Sequence, residues 1–233
     1  MGIFIEALIL YILLFLPGYP VIQTAGAAEF SIITELIKIF TRSIPSLCLI
    51  WYLIFKAGDT KIEEILPVKP KIENLQDAAF LKNADSARTR AGKKDLISAS
   101  IALPSLILTG FIISLLSSAS GGISTGNLIY SPSTAPEWTV LSLSCIVSAY
   151  LEESYFRFYL LTKRHWLRLN ALEVTAVSVI LFSACHIYAG FWGVLNAAIS
   201  GTVLCVLFLR FNAIHGIAIA HAIYNILAFV FNS

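Results

Sequence analysis

Apolar residues in this chain come in long runs separated by short polar intervals. A helix needs about 20 predominantly apolar residues to cross a hydrocarbon core about 30 Å thick. Seven runs approach that length, roughly Ile3–Ile22, Leu36–Phe55, Leu96–Ser118, Trp138–Leu161, Ala171–Tyr188, Phe191–Leu209 and Ala213–Phe231. An amphipathic lead-in carrying Lys38 and Arg42 precedes the second. The pattern predicts an all-α fold, a polytopic integral membrane helical bundle of about seven transmembrane helices. It divides into residues 1–95, two helices and a basic cytoplasmic loop, and residues 96–233, a five-helix membrane core, within one membrane domain.

Composition agrees with the runs. The 233 residues are 58% hydrophobic and only 13% charged, with a mean hydropathy of +0.81, against about 25% charged in an average soluble domain. A net charge of +2 gives no footprint for nucleic acid, so the lipid bilayer is the expected surrounding. Cys48, Cys145, Cys185 and Cys205 all fall in apolar runs without CxxC spacing and read as small buried hydrophobes.

The cations matter by position. Nine Lys or Arg lie in residues 56–94, Lys163, Arg164 and Arg168 follow the fourth run, and Arg210 follows the sixth. All fall on one side of the seven-span arrangement, and only Lys38 and Arg42 run against the trend. The cationic side is read as cytoplasmic, which places the N-terminus inside and the C-terminus outside. Ala25 and Ala27 form an A-x-A arrangement after the first run, but no Lys or Arg precedes Ile3, so removal of the first helix as a signal peptide is not expected.

Charge inside a membrane span is costly and marks function by default. The fourth run carries Glu152, Glu153 and Arg157, the fifth His186, and the seventh His221 and Asn225. Residues four apart share a helix face, so Glu153 and Arg157 pair along their own helix while Glu152 turns about 100° away and stays free. By the same spacing Phe182 lies with His186 and His221 with Asn225. A carboxylate, two imidazoles and a carboxamide in a protected cavity suit hydrolysis of an acyl or peptide bond. Glu152 takes a proton from water, His186 orients that water, and His221 with Asn225 donates hydrogen bonds to the oxyanion.

These residues fall into three ordered motifs: EExxxR in "EESYFR", FxxxH in "FSACH" and HxxxN in "HAIYN". The set resembles the CPBP family of intramembrane proteases, which includes the CAAX prenyl endopeptidases and the bacterial Abi and bacteriocin-processing relatives. The resemblance covers residues 138–231. It implies a glutamate-dependent protease with Glu152, His186, His221 and Asn225 catalytic and Glu153, Arg157 and Phe182 in support. The implied substrate is a membrane-anchored or lipid-modified protein or a leader-type peptide, and the implied location a prokaryotic inner membrane. Phe158 occupies a place where the family often has Gly directly after the motif arginine.

Family members have been classed as metalloproteases, and Glu152, His186 and His221 are the alternative zinc ligands. If Glu152 binds metal, the spare base is Glu153, which Arg157 already neutralises; the expectation is therefore no cofactor. Two other classes share the polar cluster: a non-enzymatic membrane immunity or scaffold protein, and a proton-coupled transporter. A transporter is expected to show internal repeats, and none is found in the sequence.

Overall fold

A computed structural model describes residues 2–15, 30–56, 75–120 and 132–232. The later part of the first apolar run, Ala25 and Ala27, residues 57–74 and residues 121–131 lie outside the described residues. The described chain is helical: α1 (Gly2–Phe15), α2 (Ile32–Lys56), α3 (Leu75–Ala119), α4 (from Ala135 to Thr162), the short α5 (Arg164–Leu167), α6 (Ala171–Ala184), α7 (Gly190–Phe211) and α8 (Ile214–Asn232). Among the described residues there is no strand.

Four helical segments are long and apolar enough to cross a membrane: Ile32–Lys56, Ala91–Ala119, Ile187–Phe211 and Ile214–Phe231. The central helix α4 has the length but is more polar than α7 or α8, since it holds the acidic pair and several serines. Two expected boundaries change. α3 begins at Leu75, 16 residues before its membrane-length apolar part at Ala91, so the end of the basic interval is helix continuous with the membrane segment. α6 is only 14 residues long, about 21 Å at the usual rise, and stops short of the expected Tyr188.

α8 packs between α3 and α4, and α7 between α3 and α6. The α3–α8 contact is close because Gly216 leaves room for it: its N–H donates to Asp95 Oδ1 at 2.8 Å, and a Cβ there would meet the Asp95 carbonyl oxygen at 2.1 Å. α1 is bound by tyrosines. Tyr155 donates to the Ala7 carbonyl and Tyr159 to Glu6 Oε1, both at 2.6 Å, while Tyr11 donates to the Leu181 carbonyl at 3.2 Å. In an apolar surrounding an unpaired hydroxyl is unfavourable, so these bonds fix both the position and the depth of α1 against α4 and α6.

Candidate active site

α4 starts with a capping box in which Thr134 and Glu137 satisfy the first open N–H groups. Its regular winding gives way at Ser154–Tyr159 to a π-helical stretch, a widened turn often found at functional sites. All six side chains of that stretch are buried. Trp51 Nε1 donates to Ser154 at 3.0 Å from α2, and Ser178 donates to the Phe156 carbonyl at 2.8 Å from α6. The stretch is thus held from two sides.

Glu153 and Arg157 form an ion pair at 3.0 Å with both side chains 0% exposed. Burying a charged pair is favourable only when further polar contacts complete it. Here the guanidinium also reaches the Gly201 carbonyl at 3.4 Å and lies 4.2 Å from the centre of the Phe182 ring. Gly201 is required at that point, because a Cβ would come within 2.9 Å of Phe182 Cδ1 and 3.4 Å of Arg157 Nη2.

Glu153 has a second partner that local spacing does not disclose. Its Oε1 lies 2.8 Å from His221 Nδ1 across 68 residues of chain. A carboxylate only accepts, so Nδ1 carries the hydrogen, and Nε2 is left to face Glu152 Oε2 at 3.8 Å. That distance is too long for a direct hydrogen bond and leaves the two groups facing each other across a gap. Glu152 is partly exposed, at 23%, and lines a cavity of about 580 Å³.

His186 sits on the turn after α6, with φ −105° and ψ 11°, and not within a helix. Its Nδ1 is 2.9 Å from the Phe182 carbonyl. A carbonyl likewise only accepts, so this ring also carries its hydrogen on Nδ1 and keeps Nε2 as a lone pair. The bond satisfies one of the open carbonyls at the end of α6, which gives a physical reason for the helix to stop there. The spacing to Phe182 survives as a contact between rings at 4.8 Å, by side chain to backbone instead of along a shared helix face.

Glu152, Phe182, His186, His221 and Asn225 all line the cavity, whereas Glu153 and Arg157 lie behind its wall. Sequence reasoning missed Asn196 and Ser200 on α7 and Tyr224 on α8, which also line it. Asn196 Nδ2 donates to Tyr224 at 3.0 Å. Asn196 and Ser200 are four apart in an apolar run, so the spacing applied to Glu153 and Arg157 would have found them. Glu35 and Lys38, paired at 2.8 Å, also line the cavity, and Glu35 accepts from Ser144 on α4 at 2.8 Å. His215 lies apart, with its Nδ1 3.3 Å from the Tyr150 hydroxyl.

Among the described residues no three His, Cys, Asp or Glu side chains are grouped to hold a metal ion. Glu153 is occupied by Arg157 and His221.

A multi-helix membrane protein with a buried carboxylate–histidine pair opening on a cavity is the class that fold and site define. Residues 134–227 match the family model described as Type II CAAX prenyl endopeptidase Rce1-like. The match spans α4 to α8 and includes every candidate catalytic residue, and it agrees with the resemblance carried by the three motifs. The matched family is one of proteases and points to CAAX-type intramembrane endopeptidase activity. No curated protein matches the chain, and no solved structure does.

Proposed function

We propose that this chain is an intramembrane endopeptidase that cleaves a membrane-anchored or lipid-modified protein, or a leader-type peptide, with water activated by Glu152. The observation that carries the proposal is the Glu152 carboxylate on the cavity wall, 3.8 Å from the Nε2 of an imidazole whose other nitrogen rests on buried Glu153.

The bare Nε2 of His186 accepts a hydrogen bond from a water in the cavity and orients it. Glu152 takes a proton from that water, and the resulting hydroxide adds to the carbonyl carbon of the scissile bond. The carbonyl oxygen becomes an oxyanion that accepts from Asn225 Nδ2. His221, with a hydrogen on Nδ1 toward Glu153, donates to the oxyanion only when its Nε2 also carries a hydrogen. Glu152 then returns its proton to the leaving amine, and the carbon–nitrogen bond breaks to give one carboxylic acid and one amine.

Mass spectrometry of membrane proteins from cells making the wild type or Glu152→Gln tests this. The expected result is a cut bond that appears only with the wild type, while both proteins accumulate equally and melt at similar temperatures. A Glu152→Gln protein that cuts like the wild type would remove Glu152 from the chemistry.

A further inference from the structure

None of the groups assigned above to water activation or to the oxyanion lies on α7, yet α7 supplies part of the cavity wall. Gly193, Asn196, Ala197, Ser200 and Leu204 line it, and their spacing puts them on one face of the helix. The Asn196 amide gives its Nδ2 to the Tyr224 hydroxyl at 3.0 Å, which leaves Oδ1 buried and without a partner among the described residues. Ser200 is 5% exposed, and its Oγ is likewise unpaired. Glu153 Oε2 and Arg157 Nε are unpaired as well, but they belong to the ion pair behind the wall. A buried polar oxygen without a hydrogen bond is unfavourable. Two of them on one face of the cavity wall call for a donor that enters with the substrate.

Both residues border the reacting groups. Ser200 precedes Gly201, which lies so close to Phe182 that a Cβ would come 2.9 Å from Cδ1, and the centre of the Phe182 ring is 4.8 Å from that of His186 and 5.9 Å from that of His221. Asn196 is tied to Tyr224, the neighbour of Asn225, and Tyr224 sits in a notch of α3 where a Cβ at Gly110 would come within 2.5 Å of the hydroxyl oxygen. With Nδ2 spent on Tyr224, the amide offers only an acceptor. The donor that a polypeptide carries at every residue except proline is its main-chain N–H. Four residues of helix rise about 6 Å, close to the roughly 6.7 Å between N–H groups two residues apart on one edge of an extended chain.

We infer that Asn196 and Ser200 form a main-chain subsite, in which Asn196 Oδ1 and Ser200 Oγ accept from two N–H groups of the substrate, two residues apart in an extended segment beside the scissile bond. This rests on the protease reading above and deepens it. The subsite holds the backbone and leaves the side chains unread, so it takes an extended segment of any sequence that lacks proline at those two positions. Asn196 and Ser200 bind the substrate and take no part in proton transfer.

Amide-to-ester replacement tests the inference, because an ester exchanges one N–H for oxygen without adding bulk. The probe is a synthetic peptide spanning the bond located by mass spectrometry, with each amide other than the scissile one replaced in turn. With detergent-solubilised wild type, esters at a pair of positions two residues apart are expected to raise KM about five- to tenfold with kcat nearly unchanged, the mark of lost binding. Ser200→Ala should be indifferent to one of these esters and Asn196→Leu to the other. Ser200→Ala should also melt no lower than the wild type, because its hydroxyl has no partner in the fold to lose. A wild type indifferent to every ester, variants as sensitive as the wild type, or a destabilised Ser200→Ala would overturn the subsite. A wild type that cuts no more than Glu152→Gln would instead remove the protease reading, and the subsite with it, so the two failures are distinguishable.

Discussion

Replacing Glu153 by Gln keeps the volume and one carbonyl oxygen but removes the negative charge that Arg157 faces at 3.0 Å with no exposure to solvent. Breaking a buried pair from one side costs about 3–5 kcal/mol, because the remaining charge stays desolvated. The Gly201 carbonyl at 3.4 Å and the Phe182 ring at 4.2 Å remain in place for the guanidinium, which argues for the lower part of that range. A loss of about 3 kcal/mol in a chain of this size lowers the melting temperature by roughly 6–12 °C. The assay is thermal unfolding of purified, detergent-solubilised protein followed by tryptophan fluorescence, with Arg157→Met and the double variant completing a cycle. The double variant is expected to be more stable than the sum of the single losses, with a coupling of about 2 kcal/mol or more. A Glu153→Gln protein that melts within about 2 °C of the wild type, in a cycle without coupling, would refute the buried-pair reasoning.

Three further outcomes follow from other parts of the structure. Gly201→Ala drives a Cβ to within 2.9 Å of Phe182 Cδ1, so it should cost about 1–3 kcal/mol in overpacking and lower cleavage, since Phe182 holds His186; unchanged melting and turnover would show that the wall yields. Purified enzyme should keep its activity after exhaustive treatment with a strong chelator, and activity that disappears and returns on adding zinc alone would replace the water-activation scheme by a metal-bound one. At the start of α4 the N–H groups of Ser133 and Thr134, donating to Glu137 at 2.7 and 3.1 Å, hold its carboxyl below the usual value of 4.5. The folded value is the depressed one, so this cap is fully present above pH 4.5 and is lost as pH falls through the lower folded value. Hydrogen exchange at the Ser133 and Thr134 amides should show that loss in the wild type and not in Glu137→Ala.

Much of the architecture was legible because it depends on properties local to the chain. Apolar run length found the membrane segments, and the covalent geometry of a helix placed Glu153 against Arg157 and turned Glu152 to a different direction. The early stop of α6 was not legible, since a run of apolar residues carries no mark where His186 leaves the helix to bond the Phe182 carbonyl. Nor was the helical start of α3 inside a charged interval.

What only the tertiary structure decided is which groups meet across helices. The bond from His221 to Glu153 spans 68 positions. It depends on how α8 is rotated against α4 and how closely the two approach, and both are set by packing over their whole length, including the contact at Gly216. Which side chains line the cavity is decided in the same way, by the packing of α4, α7 and α8. Hydropathy and four-residue spacing describe single helices. The relative rotation of two helices is a property of the pair, and that is why the free carboxylate could be named from the sequence while its imidazole's second partner could not.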